Sequence, residues 1–325
     1  GVININGTDS TGIIGVNSNI ENTTVINSGT LKESNNSKGL LMKITDGETY
    51  TLRNKADINI SGADSLGIYG SAVDDEDKVS GTLNIINESD IKMGSALNIS
   101  DMLIGIYGTQ NVNIVTATGN ISGGNYTVGL YSTGGNVMHN SGINLGDASI
   151  GIYVSNGTGT IGSGASVTIG NGIKKIVSGN EELERSVALY ATNKGVITNY
   201  SSDIKVGMDG IIGYSKGAGA RILNYGNLTL LEEGTGFYTN GGELENAGIL
   251  SSAGNGIVYM YAKNGKISNN GDINGSANDY GIGIYGKNSE IINTANIHLG
   301  DSYLNSEKIS DLSDPSHRYA TGIYG

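Results

Sequence analysis

The sequence predicts an all-β chain folded as a parallel β-helix, in which short strands stack into one rod. Three observations lead to this prediction: a phrase that recurs along the whole chain, three short apolar runs in each repeat, and a composition rich in turn and strand formers. The 325 residues include 53 Gly, 18 Tyr, 1 Pro and no Cys. Because proline cannot donate to a strand ladder, its scarcity suits a sheet in which every strand is paired on both sides.

The recurring phrase is a small residue, an aliphatic residue and a tyrosine, usually closed by glycine. It reads Gly-Ile-Tyr-Gly at residues 67–70, 105–108 and 283–286. From Tyr69 onward, six of the nine intervals between successive tyrosines of the phrase are 22 to 24 residues, and the others are 38, 37 and 39. A fixed period of this size is typical of solenoid proteins. Two degenerate copies near the start bring the anchors to twelve, which predicts eleven rungs.

Each repeat contains three apolar runs that are typical of strands. The first run precedes the tyrosine, as in Val128–Tyr131, and the second ends two residues before a recurrent asparagine, as at Ile222. The third alternates after the asparagine, as at Leu228 and Leu230. Period-two alternation bounded by Gly, Asn and Ser predicts strands. Rungs of three strands pair in parallel about 4.8 Å apart, so the rod is expected to be roughly 55 Å long.

The alternation assigns a face to each side chain of the first strand. In Ile104–Tyr107 the two isoleucines share a face, which we expect to be interior because aliphatic stacks avoid water. The tyrosines are then expected outside, as a ladder along the rod, although Ile212 and Gly213 break the pattern before Tyr214. The candidate exposed aromatic ladder comprises Tyr107, Tyr131, Tyr153, Tyr190, Tyr238, Tyr261 and Tyr285.

Two interpretations of this ladder stay open. Aromatic pairs on neighbouring strands stabilise exposed sheet by up to ~1 kcal/mol each, and the functional alternative is a platform on which sugar rings stack. The asparagines favour a structural ladder, because Asn tolerates left-handed turns and stacked amides bond along the rod. Thr116 and Ser163 replace the asparagine in two repeats, and Asn140 and Asn199 keep it with one-residue slips.

Four segments depart from the period and are predicted to be edge insertions: 71–80, 94–103, 171–186 and 301–320. The last three precede an anchor and are expected on one side of the rod. Insertions on a regular scaffold commonly carry recognition, with tolerated surface decoration as the alternative. Segment 171–186 mixes both charges and is the first candidate for ligand contact. Its candidate contact residues are Lys174, Lys175, Glu181, Glu182, Glu184 and Arg185.

The sequence predicts no cofactor, no metal site and no enzymatic activity. Enzymes with this fold use carboxylate pairs or a calcium cluster, and the acidic residues here are scattered or bunched in insertions. Asp74–Asp77 are candidate calcium ligands, but a solvated acidic loop is the favoured interpretation. His298 alternates with apolar neighbours and is expected to point outward, alone. A net charge of −12 argues against nucleic acid as a partner.

The absence of cysteine suits a chain that crosses the periplasm and an outer membrane unfolded, since a disulfide would block that passage. The sequence has no initiator Met, no signal peptide and no apolar run of 18 residues. Its pattern starts and stops within a repeat. We therefore expect residues 1–325 to be a single β-helical segment of a longer chain.

Repeats of Ser/Thr-x-Gly-Ile-Tyr-Gly followed by Asn-x-Gly-x-Ile, in a Cys-free acidic chain, resemble the passenger region of bacterial type V autotransporters. The greatest likeness is to the very large fusobacterial outer-membrane adhesins, and it covers essentially the whole chain. The resemblance implies a right-handed β-helix that is exported through a C-terminal β-barrel absent here and displayed on the cell surface. It also implies coaggregation or host-cell attachment through a receptor protein or glycan. No binding motif of the family can be carried onto particular residues.

Two other functions were weighed. One is a β-helical polysaccharide-degrading enzyme, which would need a cleft lined by several carboxylates. The other is a passive stalk that spaces the remaining parts of the parent chain. Because three runs per repeat let one chain close its own core, we expect a monomer in all three cases.

Overall fold

The computed structural model describes residues 1–28, 35–74, 76, 78–275, 281–300 and 321–324. Over these residues the regular structure is β-strand, apart from a 3-10 turn at Ile99–Asp101. Every sheet of four or more strands is parallel, with successive repeats stacked on one another. The prediction of an all-β parallel β-helix is therefore confirmed. No helix in this described part of the chain is long and apolar enough to span a membrane.

The chain passes through three sheets in turn, and each repeat adds one strand to each sheet. The sheet that carries the recurring tyrosines, the tyrosine sheet, has twelve strands in the described residues, as the twelve anchors predict. Its strands are Thr11–Val16, Lys38–Lys43, Leu66–Ser71, Leu103–Gly108, Thr127–Ser132, Ile150–Ser155, Val187–Thr192, Ile211–Lys216, Thr235–Asn240, Val258–Lys263, Ile282–Lys287 and Thr321–Tyr324.

The asparagine sheet contains the second strand of each repeat and ends at the recurrent asparagine. It has eleven strands over the described ranges. Its strands are Ile20–Asn22, Thr49–Asn54, Thr82–Asn87, Val112–Thr116, Asn136–His139, Thr158–Ile161, Val196–Asn199, Arg221–Asn224, Glu243–Asn246, Lys266–Asn269 and Glu290–Asn293.

The third sheet is divided into two parts. The first part has eight strands and the second has four among the described residues. The eight are Val2–Ile5, Val25–Ser28, Ile58–Ile60, Ile91–Met93, Ile121–Gly123, Gly142–Leu145, Ser166–Ile169 and Asp203–Val206. The four are Leu228–Leu230, Leu250–Ser252, Ile273–Gly275 and Ile297–Leu299. The ladder of backbone pairing is thus interrupted between Asp203–Val206 and Leu228–Leu230.

A thin column of aliphatic side chains fills the space between the sheets. Ile106, Ile114 and Ile121 come from the three sheets of one rung, and each is 0% exposed. In the tyrosine sheet Ile106 pairs with Leu130, and Leu130 pairs with Ile152 in the next rung. Full burial of one such side chain contributes about 1.5–3 kcal/mol. The core is therefore continuous, and one chain closes it without help from a second.

The predicted alternation in the tyrosine sheet is wrong at one position. From Tyr69 to Tyr285 the residue before the tyrosine is interior, as expected, but so is the residue before that one, which is usually glycine. A Cβ on Gly105 would lie 2.9 Å from Cγ2 of the core residue Ile121 and 2.7 Å from the carbonyl oxygen of Gly129. The third residue before the tyrosine, Ile104, is consequently displaced outward and only partly buried. Glycine is required here because the backbone of the next rung approaches too closely for a side chain.

The irregular repeat at Tyr214 keeps its tyrosine in register with those of its neighbours. In this repeat Ile212 and Gly213 exchange the usual order of small and large residues, and Ile212 is buried. A Cβ on Gly213 would lie 2.5 Å from Cδ1 of Phe237. The larger phenyl ring of the next rung therefore fills the space that an aliphatic side chain fills elsewhere.

The recurrent asparagines form the predicted structural ladder, through one of the two expected causes, amides that bond along the rod, and the ladder is buried. Each Nδ2 of Asn199, Asn224 and Asn246 donates to Oδ1 of the next asparagine at 2.7–2.8 Å. Each Nδ2 also donates to a carbonyl oxygen two residues later. None of these three asparagines is left-handed, whereas the asparagines after the tyrosine strands, such as Asn156 and Asn193, are (φ 56° and 55°). The ladder amides thus cap turns from within the core.

Two places in this ladder were assigned wrongly from the sequence. Thr116 lies in it, as predicted, but the next rung contributes His139 rather than Asn140. The rung after that contributes Ile161 rather than Ser163. The observed residues lie one and two positions N-terminal to the predicted ones. The prediction followed the polar residues Asn140 and Ser163 instead of the register of the strands.

Candidate ligand-binding surfaces

Segment 171–186 forms a β-hairpin at the junction between the third sheet and the tyrosine sheet. Its strands Ile173–Val177 and Asn180–Glu184 pair in antiparallel fashion. Ser178 and Gly179 link them with φ of 50° and 82°, which is the backbone of a tight hairpin turn. The 3-10 turn of segment 94–103 lies at the same junction, in a rung nearer the N-terminus.

The tip of the hairpin is apolar and exposed. Ile176 is 81% exposed and Val177 is 43% exposed, and neither reaches the core. The sequence analysis missed these two residues because it weighed the charges of the segment. The signal that could have found them is a pair of aliphatic residues beside a Ser-Gly turn, in a segment with no interior to fill.

Most of the predicted contact residues of the hairpin hold it to the rod. Lys175 Nζ lies 2.8 Å from Glu184 Oε2 and 4.7 Å from the ring centroid of Tyr126. The hydrogen bond to Glu184, followed by that to Tyr126, raises the pKa of Lys175. These contacts fix one strand of the hairpin against the turn that precedes the tyrosine strand. Lys175 and Glu184 are therefore anchors of the hairpin.

The other side of the hairpin base is fixed at Asp209. Lys174 Nζ lies 3.6 Å from Asp209 Oδ2 and 4.0 Å from Glu181 Oε1. Arg185 Nη1 donates to the carbonyl oxygen of Asp209 at 3.0 Å. Glu181 and Glu182 remain exposed on the outer part of the hairpin. The six predicted residues thus divide into a tethered base and a solvated flank below the apolar tip.

The seven predicted ladder tyrosines lie in one column on the outer face of the tyrosine sheet. Three more belong to the same column, namely Tyr69, Tyr214 and Tyr324. Neighbouring ring centroids are 4.3–5.3 Å apart, in a mixture of stacked and edge-to-face pairs. Because each ring covers the face of its neighbour in the stacked pairs, the column presents mainly ring edges and hydroxyl groups. A platform of open ring faces for sugar stacking is not what this geometry offers.

Burial favours the protonated form of several hydroxyl groups in the column. Burial, and then the proximity of neighbouring tyrosines, raises the pKa of Tyr131 and Tyr190. The hydroxyl oxygen of Tyr153 lies 2.9 Å from Oγ1 of Thr192, which is two residues after the tyrosine of the next rung. A ladder hydroxyl such as that of Tyr153 therefore points toward the residue that lies two positions after the tyrosine of the next rung.

The residues two positions after each ladder tyrosine differ along the rod. In the first part of the sheet they are Ser71, Thr109, Thr133, Ser155 and Thr192. All but Thr133, which is partly exposed, are less than 10% exposed. In the later part they are Lys216, Asn240, Lys263 and Lys287, and the three lysines are exposed. Strand alternation places each of them on the same outer face as its tyrosine.

We call this later surface the tyrosine–lysine strip and define it as Tyr190, Tyr214, Tyr238, Tyr261, Lys216, Asn240, Lys263 and Lys287. No ion pair involves the three lysines among the residues that the structure describes. The sequence analysis missed the lysines, although Tyr-x-Lys recurs at 214–216, 261–263 and 285–287.

The hairpin base and the strip adjoin each other. Burial and the neighbouring tyrosines raise the pKa of Tyr238, and the charge of Arg185 opposes that rise. Arg185 is therefore close enough to act on the Tyr238 hydroxyl. The hairpin base therefore lies near the tyrosines of the strip, on the side opposite to its lysines.

The outer face of the asparagine sheet carries alternating charges in one row. Arg221 pairs across the strands with Glu243 at 2.9 Å, and Lys266 pairs with Glu290 at 3.0 Å. A shallow cavity of about 200 Å³ lies between them. Since cation and anion alternate directly opposite each other, we assign this row to strand pairing.

The acidic segment 71–80 gives no metal site in its described part. Asp74 Oδ1 accepts from the backbone N–H groups of Glu76 and Lys78, both at 2.9 Å. No group of three or more acidic or histidine side chains within the described ranges could hold a metal ion. Asp75, Asp77 and the predicted insertion 301–320 lie outside those ranges.

Comparisons with known proteins give little. No model of a known protein family matches the chain, and no curated protein sequence matches it. Among solved structures, it shows a likeness to the A-module of the mannuronan C-5 epimerase AlgE4 of Azotobacter vinelandii, with 12% identity and a TM-score of 0.23. That match covers 96% of this chain and 91% of the other. A TM-score this low carries no argument, and the fold assignment rests on the strand pairing described above.

The prediction that this chain is not an enzyme is contradicted by that comparison, because the protein set beside it is an epimerase. We withdraw the prediction. It depended on finding no carboxylate cluster in the sequence. Stacking in a β-helix brings together residues that are distant along the chain, so such an absence could not support it.

Proposed function

We propose that this rod is a segment of a bacterial cell-surface adhesin of the autotransporter passenger type. In this proposal it binds a receptor protein or glycan on another bacterium or on a host cell. The observation that carries the proposal is the hairpin at 171–186, which projects Ile176 and Val177 from the edge of an otherwise regular rod. Exposed apolar residues rimmed by charge are typical of sites of protein contact.

The anchoring of the hairpin supports this proposal. A decorative loop has no need of a fixed orientation, whereas this hairpin is held at its base by Lys174, Lys175 and Arg185. Anchoring reduces the conformational entropy that binding would otherwise cost. Many such rods on one surface would add weak contacts into a strong attachment.

An exchange of the hairpin tests the proposal. Val187 pairs with Ile150, and Ile169 pairs with Leu145, so the short connection at 147–149 is the structural equivalent of 171–186. We would replace 171–186 with the sequence Asp-Ala-Ser of that connection. Binding of the purified segment to panels of intact bacterial and host cells would be measured, together with circular dichroism and thermal unfolding.

Loss of cell binding with unchanged folding is the expected result. A finer variant, Ile176→Ser with Val177→Ser, removes only the tip and should reproduce the loss. Leu97→Ser with Ile99→Ser is the matched control, since these residues are 77% and 57% exposed in the other insertion at this edge. Undiminished binding by the exchanged chain would exclude the hairpin. A well-folded parent segment that binds no cell would instead be a stalk.

A further inference from the structure

We propose that the tyrosine–lysine strip binds an extended carboxylated polysaccharide, a chain of uronate sugars laid along the rod. This proposal concerns a different surface from the hairpin and goes beyond the attachment proposed above. It follows from three features of the strip: its hydrogen-bond donors, its spacing and its local charge.

The strip presents more hydrogen-bond donors than acceptors, and its one amide acceptor, Asn240, is already bonded to Tyr214. In the first part of the sheet, a tyrosine hydroxyl meets a hydroxyl of the next rung, as Tyr153 meets Thr192, and each group can donate and accept. In the strip, the register puts Lys216, Lys263 and Lys287 at the equivalent position. A lysine ammonium has three donors and no acceptor. A tyrosine hydroxyl can accept one hydrogen bond from an ammonium, which still leaves donors on both groups. A carboxylate from outside can accept from both.

The spacing of these donors is regular. Ring centroids in the strip are 4.8 Å apart for Tyr214 and Tyr238, and 4.9 Å apart for Tyr238 and Tyr261. Adjacent rungs advance by about 4.8 Å, which is close to the advance per sugar residue in an extended polysaccharide. The rungs of the strip and the sugar residues of such a chain therefore repeat on the same length scale.

The charge of the strip is opposite to that of the chain as a whole. The net charge is −12, yet three exposed lysines follow one line on this face. On the lysine side, Glu243 and Glu290 follow the strip by three residues, but they are paired with Arg221 and Lys266. On the other side, Asp209 and Glu233 precede their tyrosines by five residues. A carboxylated chain is thus attracted to the lysine side of the tyrosines and repelled from the other side.

Binding of a short polygalacturonate tests the proposal, with dextran of equal length as the neutral control. Because the chain has 18 Tyr and no Trp, tyrosine fluorescence detects binding, and calorimetry gives the affinity at two salt concentrations. We expect binding to polygalacturonate that weakens with salt, and none to dextran. The hairpin exchange should leave this affinity unchanged, which separates the two proposals.

Two sets of variants locate the site. Lys216→Gln, Lys263→Gln and Lys287→Gln together should weaken binding by roughly tenfold, since each exposed ion pair contributes little by itself. The control triple variant on other faces is Lys55→Gln, Lys92→Gln and Lys205→Gln. Both sets change the net charge from −12 to −15, by removal of three positive charges.

A further pair, Tyr238→Phe with Tyr261→Phe, removes the hydroxyls and keeps the ring contacts. It should weaken binding a few-fold without a change in thermal unfolding. The proposal is overturned by absent binding, by equal binding of dextran, or by equal weakening in both lysine sets. Single-stranded DNA that binds more tightly than polygalacturonate would also overturn it, because the strip would then recognise phosphates.

Discussion

The rungs from Tyr107 to Ile161 and the rungs from Asn199 to Asn293 share one architecture but differ in two columns of side chains. The interior asparagine ladder is broken by Thr116, His139 and Ile161 in the first region and is continuous in the second. The residue two positions after each tyrosine carries a hydroxyl group and is at most partly exposed in the first region. In the second region it is chiefly an exposed lysine.

This difference distinguishes the columns of side chains that the fold requires from those that vary between regions. Both regions keep the aliphatic column and the tyrosine column, so these two features belong to the fold. The asparagine ladder tolerates interruption where other side chains satisfy the buried polar groups. The lysines change neither the core nor the register, which makes them the part of the surface that is free to specialise.

The largest effect is expected from a charge in the shared core. Ile152→Asp would place an unpaired carboxylate where the side chain is 0% exposed, at a cost of several kcal/mol. Ile284→Asp is the matched variant in the second region, because Ile284 occupies the equivalent place and is also 0% exposed. Both variants should lack the cooperative urea unfolding of the parent. A stable Ile152→Asp chain would contradict the interior assignment.

An intermediate effect is expected from pH, and only through the first region. His139 Nε2 donates to the carbonyl oxygen of Ser166 and Nδ1 accepts from the Thr116 hydroxyl, with N···O separations of 3.2 and 2.6 Å. Burial lowers the pKa of His139 to about 4 from 6.5. The unfolded chain therefore takes up a proton near pH 6.5, while the folded chain resists until about pH 4. The free energy of unfolding should therefore fall by about 3 kcal/mol as the pH is lowered from 6.5 to 4.

His139→Asn sharpens this comparison, since it makes the first region resemble the second. We expect the variant to lose the part of the pH dependence that lies between pH 6.5 and 4, measured by urea unfolding at several pH values. His298, which is exposed, provides the control substitution His298→Asn. A pH dependence that survives His139→Asn unchanged would assign it to other groups.

The smallest effect is expected from a single ladder tyrosine. Tyr153→Ser removes one stacked and one edge-to-face contact on the outer surface, at a cost of about 1 kcal/mol or less. Tyr261→Ser in the second region should cost a similar amount, because its rings pack at similar distances. Thermal unfolding of both variants measures this. Unfolding of the rod by either one would mean that the column is part of the core.

The period of the sequence was sufficient to predict the fold, because every rung repeats the same contacts and one phrase therefore reports on all of them. The interior position of Gly105 was not predictable from alternation, since it depends on how closely the next backbone approaches. The place of His139 was missed for a related reason: register is set by strand pairing, and a search for polar residues prefers the neighbouring Asn140.

The candidate sites were less predictable than the fold. The charges of segment 171–186 identified the hairpin, but which of them face solvent depends on contacts with Tyr126 and Asp209 that are remote in sequence. The sequence of a single repeat does not show that the lysines of the strip form a surface. They become a surface only when Lys216, Lys263 and Lys287 are stacked in register.

The interruption of the third sheet has a mechanical consequence. Tension applied along the rod passes through every interface between rungs in series, so the weakest interface yields first. Asp203–Val206 and Leu228–Leu230 lie side by side, but the regular backbone pairing of the third sheet is interrupted between them. The tyrosine and asparagine sheets are paired across the same rungs. We expect a stretched rod to part there, giving extra length under load while the rungs on either side stay folded.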